Sequence, residues 1–166
     1  MKSLDSIGFV GAEDVRQLDA LLASYQRDTL ARLVVLADRS GRLLTSVGEL
    51  GEIDPTTYAT LVAGDFAASG QLAAQVGEAE FASLYHKGPD RSMFLADVGG
   101  AAILAVLFDD RTTLGMVRVK AKSLVPRAAA VFEQLRTRGP LGELVQFEAG
   151  WAAAAESEID RVFRDE

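Results

Sequence analysis

Few residues of this 166-residue chain have types and spacings that could do chemistry. His86 is the only histidine. An imidazole can act as a general base or a metal ligand, but both roles need partners, and no metal-type cluster surrounds it in sequence. On a predicted strand it reads first as a structural or surface residue. Asp109-Asp110 follows an apolar run, at the mouth of a predicted sheet, where metal-binding carboxylates can sit. The competing reading is a turn that places negative charge ahead of a helix starting near Thr113. Asp65 and Ser69 are four residues apart on a predicted helix and could bond each other or a neighbouring backbone group. No phosphate loop, dinucleotide-binding glycine pattern, nucleophile elbow or zinc-protease helix occurs. The absence of cysteine excludes disulfides and thiolate chemistry and fits a cytoplasmic protein. These residues therefore suggest no catalytic group, no metal and no cofactor, and attention moves to surfaces.

One helix carries the clearest surface. It is predicted from about Asp54 to Val76, with Asp54 as N-cap, Pro55 at N1 and Ile53 stapled onto Tyr58. At about 100° per residue, Tyr58, Leu61, Val62, Phe66, Leu72 and Val76 share one face. The opposite face holds Thr60, Ala63, Gly64, Ala67, Gln71 and Ala74. Solvent-facing helix surfaces are usually charged, so a face of small side chains invites close approach by another helix or another protein. Gln71 is the bulky exception.

The remaining elements frame that helix. A first helix is expected over Ala12–Asp28, from Val15, Leu18, Leu22 and Tyr25. Leu33–Ala37 reads as a buried strand, Asp38-Arg39-Ser40-Gly41 as a turn, and Arg42–Val47 as the partner strand. Gly77 ends the second helix. Strands are expected at Phe81–His86, Arg91–Val98 and Ala101–Phe108, with Gly99-Gly100 as a hairpin turn. The last strand is apolar throughout, as for a strand covered on both faces.

Thr113–Leu135 alternates locally at Val117–Lys122, yet Val117, Ala121, Leu124, Ala128, Val131 and Leu135 align at helical period. A helix is expected, kinked or divided at Pro126. Gly139-Pro140 should close a domain over residues 1–138. A linker at 139–155 and a short amphipathic segment at 156–166 should follow. The order helix, hairpin, helix, three strands, helix predicts an α/β sandwich around a five-stranded, mainly antiparallel sheet.

Charge is uneven. The net charge of −7 argues against a general nucleic-acid binder. Arg111 to Arg138 holds seven basic residues, whereas Gly142 to Glu166 holds seven acidic and two basic ones. Either the basic helix and acidic tail are solvated faces, or the basic surface meets an acidic partner and the tail shields it. Met1–Val10 lacks the apolar region of a signal peptide, and the run Ala101–Phe108 is too short to span a bilayer, so no membrane role is expected.

Three stretches resemble a known family: Thr60 to Ala73, Gly77 to Phe81 with Tyr85-His86-Lys87-Gly88, and Leu107 to Arg118. The ending Glu158-Ile159-Asp160-Arg161-Val162-Phe163 adds to them. The chain resembles the Roadblock (dynein light chain type) domain family, in its bacterial MglB-like branch. The resemblance implies a homodimer in which the second helices pair and the sheets run together, with Thr60, Ala63, Ala67 and Ala74 at the dimer interface. It implies binding to a small Ras-like, MglA-like GTPase and acceleration of GTP hydrolysis in a cell-polarity or gliding-motility system. Such regulators supply no arginine finger and reposition the GTPase's own switch residues, so no enzyme active site is expected here. The GTPase-binding candidates are Ala63, Gly64, Ala67, Ala68 and Gln71 with Arg118, Lys120, Lys122 and Arg127. The tail, through Ile159, Val162 and Phe163, is expected to touch the GTPase separately. The alternative is a Roadblock scaffold or effector that binds a GTPase, or another Roadblock chain, without stimulating hydrolysis.

Overall fold

Apolar spacing and turn chemistry set the elements of the computed structural model, which describes residues 10–49 and 51–163, with side chains described as far as residue 138. Leu18, Leu22 and Tyr25 recur one turn apart and bury one side of α1 (Ala12–Thr29). A hairpin follows, β1 (Leu33–Asp38) and β2 (Leu43–Gly48). Its turn is built on Asp38, whose Oδ1 accepts from the Ser40 and Arg42 backbone amides at 3.0 and 2.9 Å. α2 (Pro55–Gln75) starts as expected: Asp54 accepts from the Thr57 amide at 2.8 Å, and Pro55 occupies the first turn. Then come β3 (Ser83–Lys87), β4 (Ser92–Val98) and β5 (Ala102–Phe108). Gly99 and Gly100, with φ of +61° and +71°, make the tight turn between the last two strands.

All strand pairs are antiparallel, in the order β2-β1-β5-β4-β3. The first strand thus lies beside the last, with Leu33 opposite Leu107 and Asp38 opposite Ala102. The two sheet faces have separate cores. Val34, Leu36, Phe94, Leu104 and Val106 pack under α1 and α3 (Leu114–Phe163). Leu33, Val35, Leu95, Ile103 and Ala105 pack under α2. Tyr25 Oη ties α1 to α3 by donating to the Val117 carbonyl at 2.8 Å. The expected α-β-β-α-β-β-β-α order and five-stranded sheet are present.

Two expectations change. The buried side of α2 consists of Ala59, Val62, Ala63, Phe66, Ser69 and Ala73. That side is turned by roughly 75° from the face expected from the large apolar residues. Small side chains on the sheet side let the α2 backbone sit close. A Cβ on Gly41, at φ +91°, would come 3.0 Å from the Thr60 Cα. The second change concerns α3, a single helix from Leu114 to Phe163, so of the kink or division expected at Pro126 the division is absent, and Gly139-Pro140 does not end the helix. Pro126 is exposed, so the carbonyl deprived of its helical partner faces water. The amphipathic segment expected at 156–166 lies outside the described side chains.

Candidate interaction surface

The sequence-selected residues separate into two surfaces. On α2, Thr60, Gly64, Ala67, Ala68, Gln71 and Ala74 are exposed. Ala63 is not: it is 6% exposed and belongs to the core against the sheet. Helical rotation sets Ala63 away from the large apolar residues, but the sheet lies on its side of the helix, and its small side chain serves the helix-to-sheet contact. Leu61, Leu72 and Val76, expected in the core, are 66%, 64% and 68% exposed. Gly64 has open space where a Cβ would be.

These residues have a defined orientation. α2 packs over β1, β2 and β5. Thr60 lies at the β1–β2 turn, where its Oγ1 donates to the Gly41 carbonyl at 3.3 Å. Asp65 points the other way, and its Oδ2 lies 2.7 Å from His86 Nε2 on β3. Leu61, Leu72 and Val76 fall on the Asp65 side by helical rotation. Through the Asp65–His86 contact that side of α2 turns toward β3, an edge strand paired on one side only and largely exposed. The result is an apolar helix flank beside an open strand edge, two features that natural proteins seldom leave uncovered. The crown of α2, with Gly64, Ala67 and Gln71, stands above it.

The basic candidates lie on the opposite side of the sheet. Arg118, Lys122 and Arg127 are exposed on α3. Lys120 is partly covered and pairs with Asp28 at 3.3 Å. Because α2 and α3 cover opposite sheet faces, one chain cannot present both sets as a single patch. Ile159, Val162 and Phe163 lie outside the described side chains.

The residues first weighed for chemistry have ordinary partners. Asp109 is held by Arg32 at 2.8 Å and Arg111 at 3.0 Å. Burial alone would raise its pKa, but donors from Arg111 and Arg32 outweigh that and keep the carboxyl below its usual range. Among the described residues no group of three His, Cys, Asp or Glu side chains is placed to hold a metal. Asp65 bonds His86 rather than Ser69, which is buried. A pairing of two residues 21 positions apart, on a helix and an edge strand, had no local sequence signal. Sequence reading also missed Arg39, which lies 4.9 Å over the Phe66 ring and pairs with Asp97 and Glu80.

A family model described as the Roadblock/LC7 domain matches residues 17–108. The chain belongs to the Roadblock/LC7 family. Its fold and sequence are similar to Myxococcus xanthus MglB, with 36% identity, a TM-score of 0.72, and coverage of 76% of this chain and 96% of that one. The gliding protein MglB of Thermus thermophilus is 32% identical with a TM-score of 0.69, covering 76% of this chain and 95% of that one. A Roadblock/LC7 domain from Streptomyces avermitilis shares the fold at 17% identity and a TM-score of 0.55, over 72% of this chain and 94% of that one. No curated protein matches the chain. Among the described residues of this Roadblock domain, no helix is long and apolar enough to cross a membrane.

Proposed function

We propose that this Roadblock domain acts as a homodimeric GTPase-activating protein for a small Ras-like, MglA-like GTPase. The observation that carries the reading is the bare flank of α2 beside the open β3 edge, in a chain 36% identical to MglB. Pairing two copies across that seam would bury Leu61, Leu72 and Val76 and continue the sheet from one β3 to the other. The two α2 crowns would then lie side by side, presenting Gly64, Ala67, Ala68 and Gln71 from each chain. Small side chains there allow a partner's switch segments to approach the helix backbone. The chain contributes no arginine finger in this reading; the GTPase's own residues perform hydrolysis once repositioned. Ala63 is dropped from both interfaces because it is buried.

The test is single-turnover GTP hydrolysis by the Ras-like GTPase of the same genome, with and without this protein. Acceleration that is lost in Ala67→Arg, with the domain still folded, is the expected result. Co-elution with the GTP-loaded GTPase without acceleration would replace the activator by an effector or scaffold. Neither binding nor acceleration would refute the GTPase assignment while leaving the family intact.

A further inference from the structure

The outward side of α3 is not used by the α2 surface, and it has its own pattern. Met116 and Val119 are 45% and 62% exposed, one turn apart. By helical rotation Val119 stands nearly opposite the buried stripe Val117, Ala121, Leu124 and Ala128. Arg127 lies to one side of it with Met116, and Arg118 and Lys122 lie to the other. The ion pairs of this helix among the described residues join Lys120 to Asp28, Arg136 to Glu133 and Arg138 to Asp14. Arg118, Lys122 and Arg127 have none there. From Gly115 to Ala130 the sequence contains no carboxylate at all. This face is an apolar crown with basic flanks and no internal neutralisation.

The same sequence holds the complement. Gly142–Glu166 has seven acidic and two basic residues. Within it Ile159, Val162 and Phe163 recur at helical spacing, bordered by Glu156, Glu158 and Asp160. We propose that the segment Glu156–Phe163 of a second copy docks on the outward side of α3. Its apolar residues cover Met116 and Val119, and its carboxylates meet Arg118, Lys122 and Arg127.

The second copy follows from length. α3 runs as one helix from Leu114 to Phe163. At about 1.5 Å per residue, Val119 and Ile159 of one chain are about 60 Å apart along it. A helix cannot reach its own beginning without breaking, so the contact forms between chains. It does not rest on the GTPase reading, and its test contains no GTPase. Salt should weaken it, since the Debye length falls from about 10 Å at 0.1 M to about 3 Å at 1 M.

The chain has no cysteine, which permits a clean cross-linking test on the full-length protein. A Val119→Cys chain is mixed with an Ile159→Cys chain of different tag length and mildly oxidised. The expected product is a disulfide joining one chain of each kind, in yield several-fold above a pairing of Val119→Cys with Ala20→Cys. That yield should drop several-fold between 0.1 M and 1 M salt. Arg118→Glu with Lys122→Glu on the Val119→Cys chain should abolish it, and Glu158→Arg with Asp160→Arg on the other chain should restore it. An intrachain disulfide in the doubly substituted single chain would overturn the proposal. So would a yield no higher than the control, or one indifferent to charge reversal. If added GTP-loaded GTPase shields the Val119→Cys thiol from alkylation while no interchain disulfide forms, the face belongs to the GTPase instead.

Discussion

Leu61→Ala separates a surface leucine held for a partner from a core leucine. Leu61 is 66% exposed in the single chain. Full burial of a leucine contributes about 1.5–3 kcal/mol relative to exposure, so covering that two-thirds is worth about 1–2 kcal/mol. A twofold dimer contains the residue twice, which gives about 2–4 kcal/mol per dimer. The dissociation constant should therefore rise about 30- to 1,000-fold. The stability of the separated chain should change by no more than about 0.5 kcal/mol, as for an ordinary surface position. Sedimentation equilibrium over a concentration series measures the first quantity, and urea unfolding at the dilute end of that series measures the second. A dissociation constant shifted by less than threefold would refute the seam. A loss of several kcal/mol in the dilute chain would instead mean that Leu61 belongs to the domain's own core.

Phe66→Ala should behave in the opposite way, costing about 3–5 kcal/mol in urea unfolding at any concentration, because Phe66 is 2% exposed and supports Arg39. Asp38→Asn should flatten the acid limb of a stability–pH curve. Burial would raise the Asp38 pKa, but donors from Ser40 and Arg42 outweigh it and hold the carboxyl below its ordinary value of 3.8. Its stabilisation is therefore full above about pH 4 and is lost as pH falls through the lower folded value, so the variant's difference from wild type should shrink below about pH 4. Asp65→Asn removes the pair with His86, whose side chains are 37% and 50% exposed, and should change the melting free energy by less than about 1 kcal/mol. A larger change would mean that this pair anchors β3 to α2.

Element order was legible because each element carries its own periodicity. Val117, Ala121, Leu124, Ala128 and Val131 identify α3 as a helix despite the local alternation around Arg118 and Lys120, and all five are buried. The orientation of α2 was not legible. Leu61, Leu72 and Val76 point where apolarity is greatest, yet periodicity cannot say whether an apolar direction faces the chain's own sheet or another molecule. Ala59 and Ala63 were underweighted because small residues contribute little to such a pattern, although close packing on the sheet requires them. The continuation of α3 was missed for a related reason. Gly139-Pro140 reads as a stop, but one proline removes a single helical hydrogen bond, and the alanines at 152–155 favour the helix beyond it. The split of the candidate site across two sheet faces depends on which face each helix covers, and no local pattern specifies that.

The pairing of β1 with β5 bears on synthesis as well as on the finished domain. All six residues of β1 are buried, and one of its edges is completed only by residues made roughly 70 positions later. At about 5–20 residues per second, a nascent chain carries that apolar strand with one edge unpaired for several seconds. During that interval α1 and α2 can already cover the two faces of the hairpin, but the β1 edge of the ribosome-bound half-domain stays open. A stalled or truncated product ending before Ala102 would keep that edge open, which makes it a substrate for chaperones or proteases rather than a stable fragment.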